Sequence, residues 1–497
     1  MTPAAPLFTE AEWDFATLDR TYKTIEEIAL NHLGLDVYPN QIEVISSEQM
    51  LDAYSSLAMP LMYNHWSFGK LFAREETLYR AGYSALAYEI VINSSPCISY
   101  LLEENTMPMQ ALVIAHAAFG HNHFFKNNYL FRQWTNAAGI LDYLAFAKGY
   151  IAACEDRYGR DDVETILDSA HALMDQGVFR YSRPPRPSRE RVLEKHRKRR
   201  EYEAEAYSEL WRTLPAGIKP PSAPLIPDPE DDGDEMRLPE ENVLYFLEKH
   251  SPVLKDWQRE TLRIVRTLAQ YFYPQKQTKV MNEGCATFVH HAIMNQLYDK
   301  GLITEGALLE FLHSHTSVVF QPEFEDKRYN GLNPYALGYG MMADIKRICE
   351  APADEDRDWF PSFAGSGDYM ALLKDAWANY RDESFIEQFL SPKLIRDFRL
   401  FALNDKAENS AYRVAAIHNE NGYRRVRTML ARQYDIGLAE PNIQVTEADL
   451  KSDRRLLLQH RMYRGVPLNE KTKNLVLAHV ERLWGYDVDL EEFEAGE

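Results

Sequence analysis

Apolar residues recur at three- and four-residue spacing from Phe15 to about Gly177, and again from about Glu240 to Phe389. Phe68, Leu71 and Phe72 show the pattern, as do Leu141, Leu144, Ala145 and Gly149. This period restricts most of the chain to amphipathic helices packed on one another. In the second stretch Leu244, Phe246, Leu247, Leu262, Ile264, Val265 and Leu268 supply core faces, and Pro274 is expected to end their helix. Ala85–Leu102 is more β-prone at its centre and carries a Ser-Ser-Pro turn signal. With 497 residues the chain is too long for one compact core, so two or three domains are expected.

The helical pattern is interrupted at Arg183. Arg183–Arg200 is basic and opens with prolines, and Pro215–Glu235 is proline-rich and ends in Glu-Asp-Asp-Gly-Asp-Glu. Residues 183–240 therefore read as a charged surface insertion containing a solvated helix. After Pro392 the character changes again. Asp397–Leu403 and Tyr412–Ile417 are short strand candidates before a helix at Tyr423–Tyr434. Asn442–Val445 and Leu456–Tyr463 repeat that pattern before a helix from Asn469 to Trp484. The expected architecture is a mainly α N-terminal region, residues 1–385, with a buried His/Glu cluster, followed by a smaller α+β C-terminal domain, residues 386–497.

Composition narrows the function. The formal net charge of −20 argues against broad attraction to nucleic acid or anionic lipid. Lys195–Arg200 offers no Phe, Tyr or Trp for base stacking. No run of eighteen apolar residues could span a bilayer, and the first residues lack the basic start and apolar stretch of a secretory signal. The four cysteines, Cys97, Cys154, Cys285 and Cys349, form no CxxC pair, so neither a disulfide framework nor a thiolate zinc site is expected. These features point to a cytoplasmic protein. GxGxxG, GxxxxGK[ST] and GxSxG patterns are absent.

The chemistry-bearing residues are histidines and glutamates. His116, His121 and His123 follow the apolar run Ala111–Ala115, and Glu283 precedes His290 and His291. Glu155, Glu164 and His171 form a third group, and His313 and His315 a fourth. On a regular helix His116 and His123 share a face, whereas His121 falls about 140° from His116. His116 and His121 could meet one metal only if the helix bends or ends near Gly120. Imidazoles and carboxylates inside apolar helices are costly to bury unless they pair or bind an ion. Two histidines of one helix and a glutamate of a distant one follow the ligand logic of catalytic zinc sites, with positions left for water and substrate. The expected ligands are His116, His121 and Glu283, with His290 or His291 as a fourth ligand or a supporting residue.

From about Leu33 to Trp484 the chain resembles the SpoVR family, named for stage V sporulation protein R. The residues that carry the likeness are Leu33–Glu43, Met62-Tyr-Asn-His65-Trp-Ser-Phe-Gly-Lys70, Tyr88-Glu89-Ile-Val-Ile-Asn93, Gly120–Asn128, Thr278–Gly284 and Asn333-Pro-Tyr-Ala-Leu-Gly338. Many relatives carry Trp where this chain has Cys285, and a small or acidic residue where it has His123. The resemblance implies a sporulation or stress-response role beside a PrkA-like serine protein kinase and a protein with a von Willebrand factor A-like domain. It implies no defined reaction.

Glu283-Gly-Cys-Ala-Thr-Phe is also similar to the EGWAxY segment of some zinc metallopeptidases, in which the glutamate is the third ligand. His116 and Gly120-His121 look like the matching histidine helix, one residue shorter. Ala117 stands where those enzymes place their water-activating glutamate. A hydrolase would need another base, for which Glu103, Glu104 and Glu155 are candidates, with Glu103 and Glu155 first. Two readings follow. One is a metal-dependent hydrolase, zinc being the expected metal, acting on amide bonds of a peptide or cell-wall-derived substrate. The other is a non-enzymatic regulatory or scaffold partner of the kinase system, using the insertion and the C-terminal domain as docking surfaces.

Overall fold

The computed structural model describes residues 5–55, 62–66, 89–178, 242–324, 326–404, 413–416, 419–448, 453–462 and 466–494. The insertion expected at 183–240 lies outside the described residues. As the periodicity requires, the N-terminal region is mainly helical. It begins with α1 (Phe15–Glu27), whose first turn is capped by the Asp14 carboxylate accepting the Thr17 N–H at 2.6 Å. A small mixed sheet follows, formed by β1 (Asn40–Ile45), β2 (Glu89–Ile92) and β3 (Cys97–Leu102). Its order is β1-β3-β2, with β1 parallel and β2 antiparallel to β3. The β-prone centre of Ala85–Leu102 is thus the β2–β3 hairpin.

The site rests on two helical segments buried on all sides. The first is α2 (Met107–Ile114), continuing through a π-helical segment, Ala115–His121, into α3 (Asn122–Asn127). Every residue of the π segment is buried. Beyond it come α4 (Ile140–Tyr158), α5 (Arg160–Ala172) and α6 (Asp256–Gln277). The second buried segment is α7 (Lys279–Asp299), which buries residues all around its circumference, from Val280 and Met281 to Ile293 and Leu297. A helix apolar all round belongs at the centre of a fold. Then come α8 (Glu305–Val318) and α9 (Pro334–Glu350).

Small residues let these central helices touch. A Cβ on Gly284 would lie 2.6 Å from the carbonyl carbon of Gly338, so α7 and α9 meet backbone to backbone. The α7 N-terminus is capped from a distance. Both carboxylate oxygens of buried Asp382 accept its first N–H groups, those of Val280 and Met281, at 2.8 Å each.

Pro274 does not end its helix: α6 runs one turn further, to Gln277. The lost hydrogen bond costs about 3 kcal/mol. Burial of Tyr271, Tyr273, Pro274 and Gln277 offsets it, and the Thr278 hydroxyl donates to the Pro274 carbonyl.

Two large apolar cores and two small clusters form among the described residues. One large core gathers α1, α2, α3, α7, α8 and α9 and extends to Tyr423, Val426 and Leu430 of α10 (Glu420–Gln433). The other joins α4, α5 and α6 to the C-terminal residues Leu456, Leu458, Val480, Leu483, Trp484 and Val488.

In the C-terminal part, strand-strand-helix occurs twice, as the sequence leads one to expect. β4 (Ala402–Asn404) and β5 (Arg413–Ala416) precede α10; β6 (Asn442–Ala448) and β7 (Leu456–Met462) precede α11 (Glu470–Trp484). Residues Pro392–Asp397 are helical, so β4 begins only at Ala402. A last strand, β8 (Val488–Glu494), pairs parallel with β7. The fold is thus a mainly α N-terminal region enclosing a His/Glu cluster, with a smaller α+β part behind it.

Candidate metal centre

In an α-helix His116 and His121 would diverge, but the chain between them is π-helical. A π-helix closes i→i+5 hydrogen bonds, so residues five apart stack along one face. The two rings lie edge to face with centroids 4.6 Å apart. Gly120 lets this segment press on α7, since a Cβ there would lie 2.5 Å from the Cα of Ala286. Ala286 is three residues beyond Glu283, so this close packing also sets the distance from the histidines to that carboxylate.

Four side chains from three elements converge. Glu283 Oε2 of α7 lies 3.5 Å from His121 Nε2 and 3.8 Å from His116 Nε2. Glu89 Oε1, from the first residue of β2, lies 3.6 Å from the same His116 Nε2. Ligand atoms of Glu89, His116 and His121 lie within 4.8 Å of one another, a spacing at which they could hold a metal ion. His116 Nε2 and Glu283 Oε2 are buried with no hydrogen-bond partner. An orphaned buried donor or acceptor costs about 1–3 kcal/mol, so such a pair facing one space asks for an ion or water between them.

The far sides of both rings are fixed. His121 Nδ1 lies 2.9 Å from Asn282 Oδ1, which can only accept, so His121 carries its proton on Nδ1 and presents a lone pair at Nε2. His116 Nδ1 lies 2.9 Å from His290 Nδ1, and His290 Nε2 lies 2.9 Å from His315 Nδ1. With His116 donating to His290 and His290 donating to His315, the neutral tautomer of His116 leaves its Nε2 free to ligate. This is how metal-binding histidines are usually oriented by their neighbours.

Burial and neighbouring charges set the protonation states. Burial opposes ionisation of Glu283, but His116, His121 and the hydroxyl of Tyr335 hold its carboxyl below the ordinary value. Burial pushes the Glu89 carboxyl up, the nearby Glu283 adds to the rise, and His116 only partly offsets it. Burial and the charge of His116 bring His121 down to about 4. Burial also opposes charging of His116, yet the two carboxylates raise it. The two glutamates are thereby pushed apart, one toward the ionised ligand form and the other toward holding a proton.

Of the residues expected at the site, His116, His121 and Glu283 come together. His290 lies behind His116, with both its ring nitrogens engaged by other histidines. His291 faces the rings of Phe311, His315 and Tyr339. His123 accepts the Asp36 N–H at 3.0 Å and packs edge-on against Trp377. Glu103 and Glu104 are exposed just past β3, and Glu155 lies on α4, whose buried residues belong to the other core. His171 is engaged by the Tyr63 hydroxyl at 2.6 Å, and beside it His65 lies 3.1 Å from Asp168. Sequence reasoning missed Glu89 and Tyr335 as site residues. The signal for Glu89 was a carboxylate opening the otherwise apolar strand Glu89-Ile-Val-Ile.

No helix among the described residues is long and apolar enough to cross a membrane. No solved structure matches the chain. It is 54% identical over 481 residues to the uncharacterized protein YcgB of Escherichia coli (strain K12), covering 97% of this chain and 92% of that relative. The family described as SpoVR like protein matches residues 12–439, and the SpoVR-like C-terminal domain matches residues 441–495. Together these place the protein, over nearly its whole length, in the SpoVR family.

Proposed function

We propose that this SpoVR-family protein is a metal-dependent hydrolase of amide bonds, with His116, His121 and Glu283 as ligands and Glu89 as the catalytic base. The observation that carries the reading is the convergence of two imidazole Nε2 atoms and two carboxylates on one buried space, with His116 Nε2 and Glu283 Oε2 lacking any other partner. Two nitrogens and one carboxylate oxygen are the donor set of catalytic zinc sites, and zinc is the metal assigned first. When bound, such an ion polarises a carbonyl and makes a neighbouring water more acidic.

The chain's own groups do the rest. Glu89 supplies the carboxylate that Ala117 does not. It takes a proton from the attacking water, whose oxygen bonds to the carbonyl carbon. The C–N bond breaks, and the proton passes to the departing amine nitrogen. His290 and His315 hold His116 in its ligating tautomer, and Asn282 does the same for His121. The test is metal analysis of the purified protein with turnover on N-acylated peptides and cell-wall fragments. His121→Ala and Glu283→Gln should lower bound zinc, and Glu89→Gln should keep zinc but lose a factor of about 10²–10⁴ in turnover. Full turnover by Glu89→Gln, or iron in place of zinc, would overturn the reading.

A second reading, that the protein serves a PrkA-like kinase and a von Willebrand factor A-like partner as a regulatory subunit, rests on the family. It draws support from the C-terminal part, which exposes Val466, Leu475 and Phe493. Binding of purified kinase to the wild type but not to a Leu475→Asp variant would favour it.

A further inference from the structure

A cavity of about 480 Å³ is lined on one side by Glu283 and Asn282 of the candidate metal centre. Its walls come from α6 (Ala269, Phe272, Tyr273) and from Met174 and Val178, and α7 contributes Lys279, Asn282 and Glu283. Those three α7 residues stand at i, i+3 and i+4, so they form one stripe along one helix face. Glu283 is the proposed ligand, and Asn282 orients His121. The stripe therefore runs from exposed Lys279 to Glu283.

Charge distinguishes the two lysines of this cavity. Lys276 is held by Asp175 and lies 3.7 Å from Glu440. Lys279 is exposed and has no ion pair among the described residues. Asp175 and Glu440 also line the cavity, beside Lys276. What remains toward a ligand is an apolar wall, the Lys279 ammonium outside any ion pair among the described residues and, four residues further along α7, the candidate ligand Glu283. Four helical residues rise about 6 Å, and an extended peptide residue spans roughly 3.3–3.6 Å. A free carboxylate on Lys279 would place an amide one or two residues away beside Glu283.

We infer that the cavity binds an N-acylated amino acid or short peptide through its free terminal carboxylate, which pairs with Lys279 while an apolar side chain lies against Phe272 and Tyr273. This inference rests on the amide-hydrolase reading for its chemistry, but the binding step is separable from it.

The test uses N-acetyl-L-phenylalanine and its uncharged amide, titrated calorimetrically into the full-length protein. The wild type should bind the acid about tenfold more tightly than the amide, the effect of one charge-assisted contact. Lys279→Ala should abolish that preference and Lys279→Arg restore it, with metal content unchanged in both, because Lys279 touches no ligand. Repeating the titration with His121→Ala separates the two proposals. The acid preference should survive there although metal and turnover are lost, whereas a wild type that binds metal and prefers the acid but turns over no substrate would leave the carboxylate site standing while the hydrolase reading fails. Equal affinity of the wild type for acid and amide, binding of neither, or an unchanged preference in Lys279→Ala would each overturn the inference.

Discussion

Gly120→Ala should damage the candidate site without touching a single proposed ligand. The added Cβ would sit 2.5 Å from the Ala286 Cα, whereas ordinary contact begins at 3.4 Å. Relief therefore demands a shift of 3.4 − 2.5 = 0.9 Å between the π segment and α7. The obstacle is backbone at the centre of the larger core, so no side-chain rotation can absorb it. Overpacking of this kind costs about 1–3 kcal/mol. The same shift bears on the 3.5 Å between His121 Nε2 and Glu283 Oε2, which must both reach a zinc ion at about 2.0–2.2 Å. Zinc affinity should fall at least tenfold, roughly 1.4 kcal/mol, and the urea midpoint should fall with it. Removing the Ala286 Cβ, which lies 2.9 Å from the new atom, should give only partial rescue in the double variant Gly120→Ala/Ala286→Gly, because the Cα remains in the way. The assay is chelator competition for zinc alongside urea unfolding of the metal-stripped protein. Wild-type affinity and midpoint in Gly120→Ala would refute the claim that this contact sets the site.

Two further outcomes follow from the buried histidines. His290→Phe should leave the His116 Nδ1–H and His315 Nδ1 without partners, lowering zinc affinity about 10–100-fold; unchanged affinity in the chelator assay would show that His290 does not orient His116. The metal-stripped protein should also lose stability in mild acid. Burial brings His123 down to about 4 from 6.5, so the unfolded chain takes up a proton in a range where the folded one does not. That stability is fully present above pH 6.5 and declines as pH falls toward about 4, by up to about 3 kcal/mol for this residue. Urea midpoints at pH 7.5 and 5 should differ more for the wild type than for His123→Leu, and equal differences would refute this assignment.

The sequence by itself determined the parts of this protein that depend on local pattern. Three- and four-residue periodicity is a property of neighbouring residues, so the helical bulk was legible, as was the strand-strand-helix order near the C-terminus. The cost of burying His116, His121 and Glu283 in apolar helices was equally visible, and it pointed to their meeting. Only the tertiary structure decided how they meet. A π segment is selected by packing of Gly120 against Ala286, a contact 166 residues distant in sequence (286 − 120), and nothing local to residues 115–121 demands it. Glu89 reaches His116 because β2 pairs with β3, and Tyr335 reaches Glu283 because the glycine contact of α7 and α9 brings their chains together. His290 supports His116 from behind because His315, on a separate helix, occupies its other nitrogen. Pro274 stays helical because burial outweighs one lost hydrogen bond. In each case the deciding energy lies in contacts between segments far apart in the chain, which a local pattern cannot encode.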